Sequence, residues 1–154
     1  MIRVLFVCLG NICRSPMVEA VMRDLVEKQH VSEVIEVDSA ATSAWHIGEP
    51  PHRGTQDKLQ EYGISTRGMK GRQLQKTDFE QFDYIVGMDD SNIQNIHSML
   101  GNPHSPKIFR FLDLTSHRKD VPDPYYTGDF QETYDLAVEG CQALLEKIIQ
   151  ENRL

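Results

Sequence analysis

The chain opens on an apolar run that leads into a short polar loop, and this stretch constrains the fold more than any other. Val4–Val7 are apolar and mostly β-branched or aromatic, which is typical of a buried strand. Gly10 and Asn11 tolerate left-handed backbone angles, so the loop can curl. Ser15 and Pro16 follow as a helix N-cap and a first helical residue. The stretch therefore predicts a strand, a tight loop and the start of a helix.

A loop of this kind suits an anion. Backbone N–H groups that precede a helix N-terminus can converge on one point and bind a negative charge there. Cys8 begins the loop and Arg14 ends it. A thiol that faces N–H dipoles and a guanidinium ionises readily, and the guanidinium fork matches two oxygens of a phosphate. The pattern therefore indicates phosphoryl transfer. The alternative is that Cys8 is a buried cysteine and Arg14 a solvated arginine, neither with a catalytic role.

Composition limits the partners and the compartment. The 154 residues carry 16 basic and 23 acidic side chains, and the net charge of −7 argues against nucleic acid as the main partner. A local ring of dipoles still permits an anionic substrate. No apolar run is long enough to span a bilayer, so we expect no membrane insertion. Three cysteines form no disulfide framework, which favours the cytoplasm, and no metal-binding spacing occurs, so we expect no bound metal.

Strand and helix patterns alternate along the chain. They predict strands over residues 2–7, 34–41, 82–88 and 107–112, and helices over residues 16–29, 55–62, 89–100 and 130–150, with a loop over 120–128. This order is typical of an α/β protein with a parallel sheet covered on both faces. Ligands bind such sheets beyond the carboxyl ends of the strands, where Cys8 and Ser39 are expected. We expect a single domain over residues 1–154.

An acid is needed beyond the loop, because an alcohol or phenol displaced from phosphorus leaves as a basic oxygen. Asp123 is the best candidate, since prolines on both sides fix its direction and two tyrosines follow it. Asp120 is the alternative acid. The non-catalytic alternative for Asp123 is a solvated aspartate in a turn. The aromatic residues Trp45, Tyr125 and Tyr126 are candidate walls of a cleft around an aromatic substrate.

The segment Cys8–Pro16 (CLGNICRSP), together with Asp123–Tyr126 (DPYY), resembles the low-molecular-weight protein tyrosine phosphatases. The likeness covers nearly the whole chain and includes residues 37–40, 71–74, 82–85 and 88–92. It implies a flavodoxin-like doubly wound sheet of four parallel strands with helices on both faces. It also implies hydrolysis of phosphotyrosine in protein substrates, no cofactor, no metal, and a monomer or weak dimer.

The resemblance also implies the roles of individual residues. Cys8 is the nucleophile that forms a phosphocysteine, Arg14 holds the phosphoryl oxygens, and Asp123 protonates the leaving phenol and then activates water. Ser39 supports the loop and the thiolate from outside the loop. The phosphate-binding loop itself comprises Leu9, Gly10, Asn11, Ile12, Cys13 and Ser15, of which Asn11 and Ser15 also have supporting roles.

The chain departs from the family pattern at Met69, where many members carry a histidine tied to the loop asparagine and to the aspartate after the third strand. The departure leaves Asp89 to pair elsewhere, with Arg72 as the expected partner. The loop should then be held less rigidly, although no chemical step passes through that histidine.

The residues of the chain disfavour three other functions. Arsenate reductases with this loop need further cysteines in a relay, and the region after the third strand has none. Protein-arginine phosphatases carry threonine where this chain has Ile12, which favours an aryl phosphate. A phosphotyrosine-binding module without catalysis is disfavoured, because Cys8, Arg14 and Asp123 are all present.

The second cysteine of the loop suggests redox chemistry. Cys13 lies five residues after Cys8, within a loop that curls around one phosphate. We expect peroxide to convert Cys8 to a sulfenic acid that condenses with Cys13, so that inactivation is reversible. The alternative is that Cys13 only packs beneath the loop as a small apolar side chain.

Overall fold

The computed structural model describes all residues, Met1–Leu154. The strands are β1 (Ile2–Cys8), β2 (Ile35–Ala41), β3 (Tyr84–Gly87) and β4 (Ile108–Arg110). The helices are α1 (Arg14–Lys28), α2 (Arg53–Glu61), α3 (Asp78–Gln81), α4 (Asp90–Met99), α5 (Pro124–Thr127) and α6 (Phe130–Asn152), and a 3-10 turn covers Phe111–Leu114. None of the helices is both long enough and apolar enough to cross a membrane.

The sheet is parallel throughout, and its strand order is β2-β1-β3-β4. β1 is an interior strand that pairs with β2 along its whole length, from Ile2 opposite Ile35 to Cys8 opposite Ala41. β3 lies on the other side of β1, and β4 forms the far edge. The carboxyl ends of the strands therefore meet at one edge of the sheet, where Cys8 lies.

Alternate residues of β1 contribute to two separate apolar cores. Val4 and Phe6 belong to a larger cluster with side chains of α1 and α6, while Leu5 and Val7 belong to a smaller cluster that includes Ile96 of α4. Burial on both faces explains why β1 is apolar without interruption. The predicted α/β architecture, a flavodoxin-like sheet of four parallel strands with helices on both faces, is confirmed.

The shortest elements differ from the prediction. The helices α3 and α5 have four residues each and were not predicted, because a single turn leaves no periodic apolar pattern in the sequence. The predicted loop over residues 120–128 is thus interrupted by α5. β3 and β4 are also shorter than predicted, and β4 ends at Arg110 because the chain enters the 3-10 turn there.

α1 begins earlier than predicted. Its first residue is Arg14, and its N-cap is Cys13, whose side chain makes no capping hydrogen bond. The prediction that Ser15 caps the helix, with Pro16 as its first residue, is wrong. Pro16 is the third helical residue, where an N–H has no acceptor within the helix, so the ring removes no hydrogen bond. The hydroxyl of Ser15 is therefore free for another contact.

At Gly140 the backbone of α6 lies close to the ring of Phe111 in the larger core. A β-carbon at this position would overlap the ring of Phe111. Phe111 is fully buried and packs edge-to-face on Phe6, with ring centroids 6.0 Å apart. Because the interior is close-packed, the Phe111 ring has little room to move away.

Gly140→Ala should lower the free energy of unfolding by about 1–3 kcal/mol, because overpacking outweighs a gain in helix propensity of roughly 1 kcal/mol. Urea unfolding measures the change. The control is the same substitution in a Phe111→Leu background, where the smaller side chain removes the overlap and the change should be neutral or stabilising. Stabilisation in the parent protein would contradict the packing argument.

Candidate active site

The loop between β1 and α1 wraps around one point in front of Cys8. Cys8 ends β1 and is 3% exposed. The chain reverses at Asn11, whose φ of 56° is left-handed. The backbone N–H groups of Gly10, Ile12 and Cys13 donate to no acceptor within the protein. Together with the N-terminus of α1 they form a ring of free donors that suits an anion.

Two donors approach the sulfur of Cys8. The N–H of Asn11 lies 3.2 Å from Sγ, and the hydroxyl of Ser15 lies 3.0 Å from it. The side-chain amide of Asn11 donates to Ser15 Oγ at 2.8 Å and to Ser39 Oγ at 2.9 Å. Since Ser15 Oγ accepts from this amide, its own hydrogen can point to the sulfur.

A buried carboxylate that was not predicted from the sequence extends this chain of hydrogen bonds. Glu19 on α1 is 5% exposed and accepts from the hydroxyl of Ser39 and from the guanidinium of Arg23. Burial raises the pKa of Glu19, although the bonds from Ser39 and Arg23 oppose the rise. Its only signal in the sequence is a glutamate among the apolar residues of α1, one turn after Ser15.

Arg14 is buried, and one end of its guanidinium is fixed by hydrogen bonds within the protein. It is 3% exposed, and its Nη1 donates to Asp89 Oδ2 at 2.7 Å and to the carbonyl of Val121 at 3.0 Å. Its Nη2 lies 3.5 Å from Asp123 Oδ2. Burial alone lowers the pKa of the guanidinium, but Cys8, Asp89 and Asp123 reverse this and raise it above its ordinary value. The guanidinium is therefore charged and fixed in direction.

The two candidate acids lie in different surroundings. Asp123 is the N-cap of α5, where it accepts from the N–H of Tyr125 at 3.1 Å, and it lines the cavity at the loop. Asp120 lies outside that cavity, and its Oδ1 accepts from the N–H of Asp90 at 2.9 Å and from Arg110 at 3.0 Å. Asp123 is thus the carboxylate placed to reach a group bound at the loop.

An open cavity of about 150 Å³ brings these groups together. Trp45, Tyr125 and Tyr126 stand around it and are largely exposed, and the two tyrosine rings pack edge-to-face. His46 was not predicted, although it also borders the cavity, with its Nδ1 2.6 Å from the carboxylate of Glu49. The complete lining is Cys8, Leu9, Gly10, Ile12, Cys13, Arg14, Trp45, His46, Asp123, Tyr125 and Tyr126.

The prediction that Asp89 pairs with Arg72 is wrong. Asp89 binds Arg14, whereas the guanidinium of Arg72 donates to Asp38 at 3.1 Å and to both oxygens of Asp78 at 3.1 Å. The reason is the strand order. Arg72 lies beside β2, where its carbonyl accepts from the end of that strand, and Asp89 follows β3 on the other side of β1.

Met69 does not line the cavity in front of the thiol. It borders a second, polar cavity that also touches Asn11, Glu19 and Ser39. The carbonyl oxygen of the Asn11 side chain accepts from the backbone N–H of Arg72 at 3.2 Å. Both ends of that amide are therefore hydrogen-bonded without a histidine.

Cys13 lines the same cavity as Cys8, and both thiols are free. Burial, followed by the charges of Asp123 and Cys8, raises the pKa of Cys13 to about 12. This thiol stays protonated at neutral pH, so it is a poor nucleophile beside Cys8. The Cys8–Cys13 disulfide stays a prediction.

This arrangement is suited to nucleophilic displacement at a tetrahedral anion. A sulfur, a ring of N–H donors, a fixed guanidinium and a carboxylate meet at the carboxyl edge of the sheet, where parallel sheets bind their ligands. The donors are in place before an anion arrives, so they need no reorganisation during the reaction.

Known proteins have sequences similar to that of this chain. The chain matches the family model described as low molecular weight phosphotyrosine protein phosphatase over residues 3–154. It is 51% identical over 156 aligned positions to the low molecular weight protein-tyrosine-phosphatase YfkJ of Bacillus subtilis (strain 168), covering 100% of both chains. It is 44% identical to PtpA of Staphylococcus aureus (strain MRSA252), covering 100% of this chain and 98% of that relative.

Solved structures give the same result. The crystal structure of YfkJ from Bacillus subtilis matches with a TM-score of 0.95 and 50% identity, covering 100% of this chain and 98% of that one. The structure of DARP, a drosophila arginine phosphatase, matches with a TM-score of 0.86 and 33% identity, covering 96% and 98%. The resemblance carried by Cys8–Pro16 and Asp123–Tyr126 is confirmed: the chain belongs to the low-molecular-weight protein-tyrosine-phosphatases, which are phosphoric monoester hydrolases.

Proposed function

We propose that this protein hydrolyses phosphotyrosine in protein substrates through a covalent phosphocysteine intermediate. Cys8 is the nucleophile, Arg14 clamps the phosphate, and Asp123 is the general acid and then the general base. The observation that carries the proposal is that Asp123, which is remote in the sequence, lines the same cavity as Cys8 and Arg14 of the loop. The protein-tyrosine-phosphatase activity of the family supports it.

In the first step the thiolate of Cys8 attacks phosphorus and forms a sulfur–phosphorus bond. The bond from phosphorus to the tyrosine oxygen breaks, and its electron pair stays with that oxygen. Asp123, in its protonated form, gives the oxygen a proton, so that tyrosine leaves as a neutral phenol. The loop N–H groups hold the three other phosphoryl oxygens, whose charge they stabilise in the transition state.

In the second step water attacks the phosphocysteine. Asp123, now a carboxylate, takes a proton from the water while the water oxygen bonds to phosphorus. The sulfur–phosphorus bond breaks, Cys8 leaves as a thiolate, and inorganic phosphate is released. The hydrogen bonds that Cys8 receives from Asn11 and Ser15 favour the thiolate at the start and again as the leaving group at the end.

Arg14 contributes orientation as well as charge. Because Asp89 and the carbonyl of Val121 hold Nη1, the remaining N–H groups of the guanidinium can face two phosphoryl oxygens in the fork geometry that phosphate favours. Its pKa, raised by the surrounding anionic groups, keeps the charge in place throughout the cycle.

The shape of the cavity favours an aryl phosphate. Trp45, Tyr125 and Tyr126 flank the opening and offer ring faces and edges to a phenyl ring. Ile12 adds an apolar side chain to the lining, which suits a phenyl ring better than a guanidinium. A cytoplasmic location belongs to the same proposal, because all three cysteines are free and Cys8 works only as a reduced thiol.

The substrate class can be tested with peptides of one sequence that carry either phosphotyrosine or phosphoarginine. We expect faster phosphate release from the phosphotyrosine peptide, measured as kcat/KM, because the apolar lining favours the phenyl ring. Preference for phosphoarginine would assign the enzyme to the other substrate, and the absence of release from both would remove the enzymatic proposal.

Cys8→Ser should abolish turnover, because this site does not ionise a serine hydroxyl at neutral pH. Phosphate release is the measurement, and rapid-quench mass spectrometry of the parent enzyme should find phosphate on the peptide that contains Cys8. The matched control is Cys141→Ser, the same change at a buried thiol of α6 that bonds only to the carbonyl of Val18. Substantial activity in Cys8→Ser would exclude the phosphocysteine.

Asp123→Ala should slow phosphate esters according to the basicity of their leaving groups. General acid catalysis contributes about a hundred- to ten-thousandfold, so kcat/KM for phenyl phosphate should fall by that order, while p-nitrophenyl phosphate should be much less affected. The kcat/KM values report formation of the phosphocysteine, where the acid acts. An equal fall for both esters would remove Asp123 from the role of acid.

A further inference from the structure

The loop that carries Asp123 has little packing of its own. This acid loop, residues 115–123, connects the 3-10 turn to α5, and residues 116–120 are all exposed. Val121 is the first buried residue after them, with its N–H on the carbonyl of Met88 at 2.9 Å and its carbonyl on Arg14 at 3.0 Å. Ahead of Val121, polar contacts therefore set the path of the chain.

One guanidinium at the end of β4 contacts the exposed part of the acid loop at two points. Nη1 of Arg110 donates to Asp120 Oδ1 at 3.0 Å, and Nη2 donates to the carbonyl of Arg118 at 3.0 Å. Nε and Nη2 also reach Asp113 Oδ1, at 3.0 and 2.8 Å. We call this set, Arg110 with Asp113, Asp120 and the carbonyl of Arg118, the Arg110 latch.

Asp120 also ties the acid loop to the next helix. Its Oδ1 accepts from the N–H of Asp90, the first residue of α4, in addition to the bond from Arg110. The end of β4, the start of α4 and the acid loop are thus joined at one oxygen. That oxygen belongs to the residue immediately before Val121, and Asp123 follows two residues later.

We propose that Arg110 and Asp120 are positioning residues for the general acid, with the Arg110 latch holding the acid loop so that the Asp123 carboxyl stands at the leaving group. The inference rests on the proposed role of Asp123 as the acid. It assigns Asp120 a function other than proton transfer. Asp120 does not line the cavity, and its Oδ1 already receives two donors.

The physical basis is the steep dependence of proton transfer on geometry. A misplacement of roughly 1 Å can cost about a hundredfold in rate, because the acid must lie within hydrogen-bonding reach of the leaving oxygen. Arg110 and Asp120 are 24% and 52% exposed, and ion pairs this accessible to water contribute little to global stability. Breaking the latch should therefore leave the fold intact and displace the acid.

The first test is Arg110→Gln, assayed with phenyl phosphate and p-nitrophenyl phosphate. We expect kcat/KM to fall by about tenfold for phenyl phosphate and by less than about twofold for p-nitrophenyl phosphate, since the second leaving group needs little acid. Arg110→Lys should recover part of the loss. The control is Arg3→Gln, which breaks the ion pair with Glu36 at the opposite end of the sheet and should change neither ester.

The second test separates a latch from an acid at Asp120. Asp120→Asn keeps an oxygen that accepts from Asp90 and Arg110, so it should retain most of the activity, whereas Asp120→Ala should show the same graded loss as Arg110→Gln. The double variant Arg110→Gln/Asp120→Ala should lose less than the product of the two single losses, because both single variants remove the bond that the two side chains share. If Asp120 transferred a proton, Asn and Ala would be equally defective.

The outcomes separate this inference from the proposed function. Unchanged activity in Arg110→Gln, or an equal fall for both esters, would overturn the positioning role. A graded loss in Asp123→Ala would at the same time uphold Asp123 as the acid. Absence of the graded loss in Asp123→Ala would overturn the proposed role of Asp123 itself. Thermal unfolding of every variant checks that the folded state persists, and a lower melting temperature matched by equal losses for both esters would count against the latch.

Discussion

The buried charge of Arg14 is the constraint on which the site depends. Removing a guanidinium from water costs several kcal/mol unless close partners compensate, and Arg14 is 3% exposed. Its partners come from two other segments: Asp89 after β3 and the carbonyl of Val121 in the acid loop. The need to pair one charge therefore brings together three segments that are remote in the sequence. The same charge then meets the phosphate, so the interaction that stabilises the site also orients its chemistry.

Asn11 holds the loop from the other side. Its left-handed φ of 56° turns the chain, and asparagine is among the few residues with a side chain that visit this region readily. Its amide donates to Ser15 and Ser39 and accepts from the N–H of Arg72. Glycine would allow the same turn, but it would leave the two hydroxyls without their donor. One residue thus sets both the backbone path and the direction of the hydrogen bonds that end at Cys8.

The part of the site that depends on neighbouring residues could be predicted from the sequence, and the part that depends on contacts between remote segments could not. Cys8, Arg14 and the turn between them follow from residue types within one short stretch, because strand, turn and helix preferences act over a few positions. The partner of Asp89 depends on the strand order, which no local pattern specifies, and for this reason the pairing with Arg72 was wrong. The N-cap prediction for Ser15 failed because α1 begins at Arg14, which places Ser15 inside the helix, where its hydroxyl bonds to the thiol of Cys8 and to the amide of Asn11 in the same loop.

The loop itself is a place where stability and function oppose each other. The N–H groups of Gly10, Ile12 and Cys13 have no protein acceptor, and a buried donor without a partner costs about 1–3 kcal/mol. Water that enters the cavity reduces this cost without removing it. A tetrahedral anion satisfies these donors together, and most strongly as charge grows in the transition state. The rest of the fold must therefore hold the loop in a shape that its own backbone bonds do not favour. An interior strand buried on both faces, a helix packed behind it and the side chain of Asn11 supply that support, which an edge strand with one open side would not.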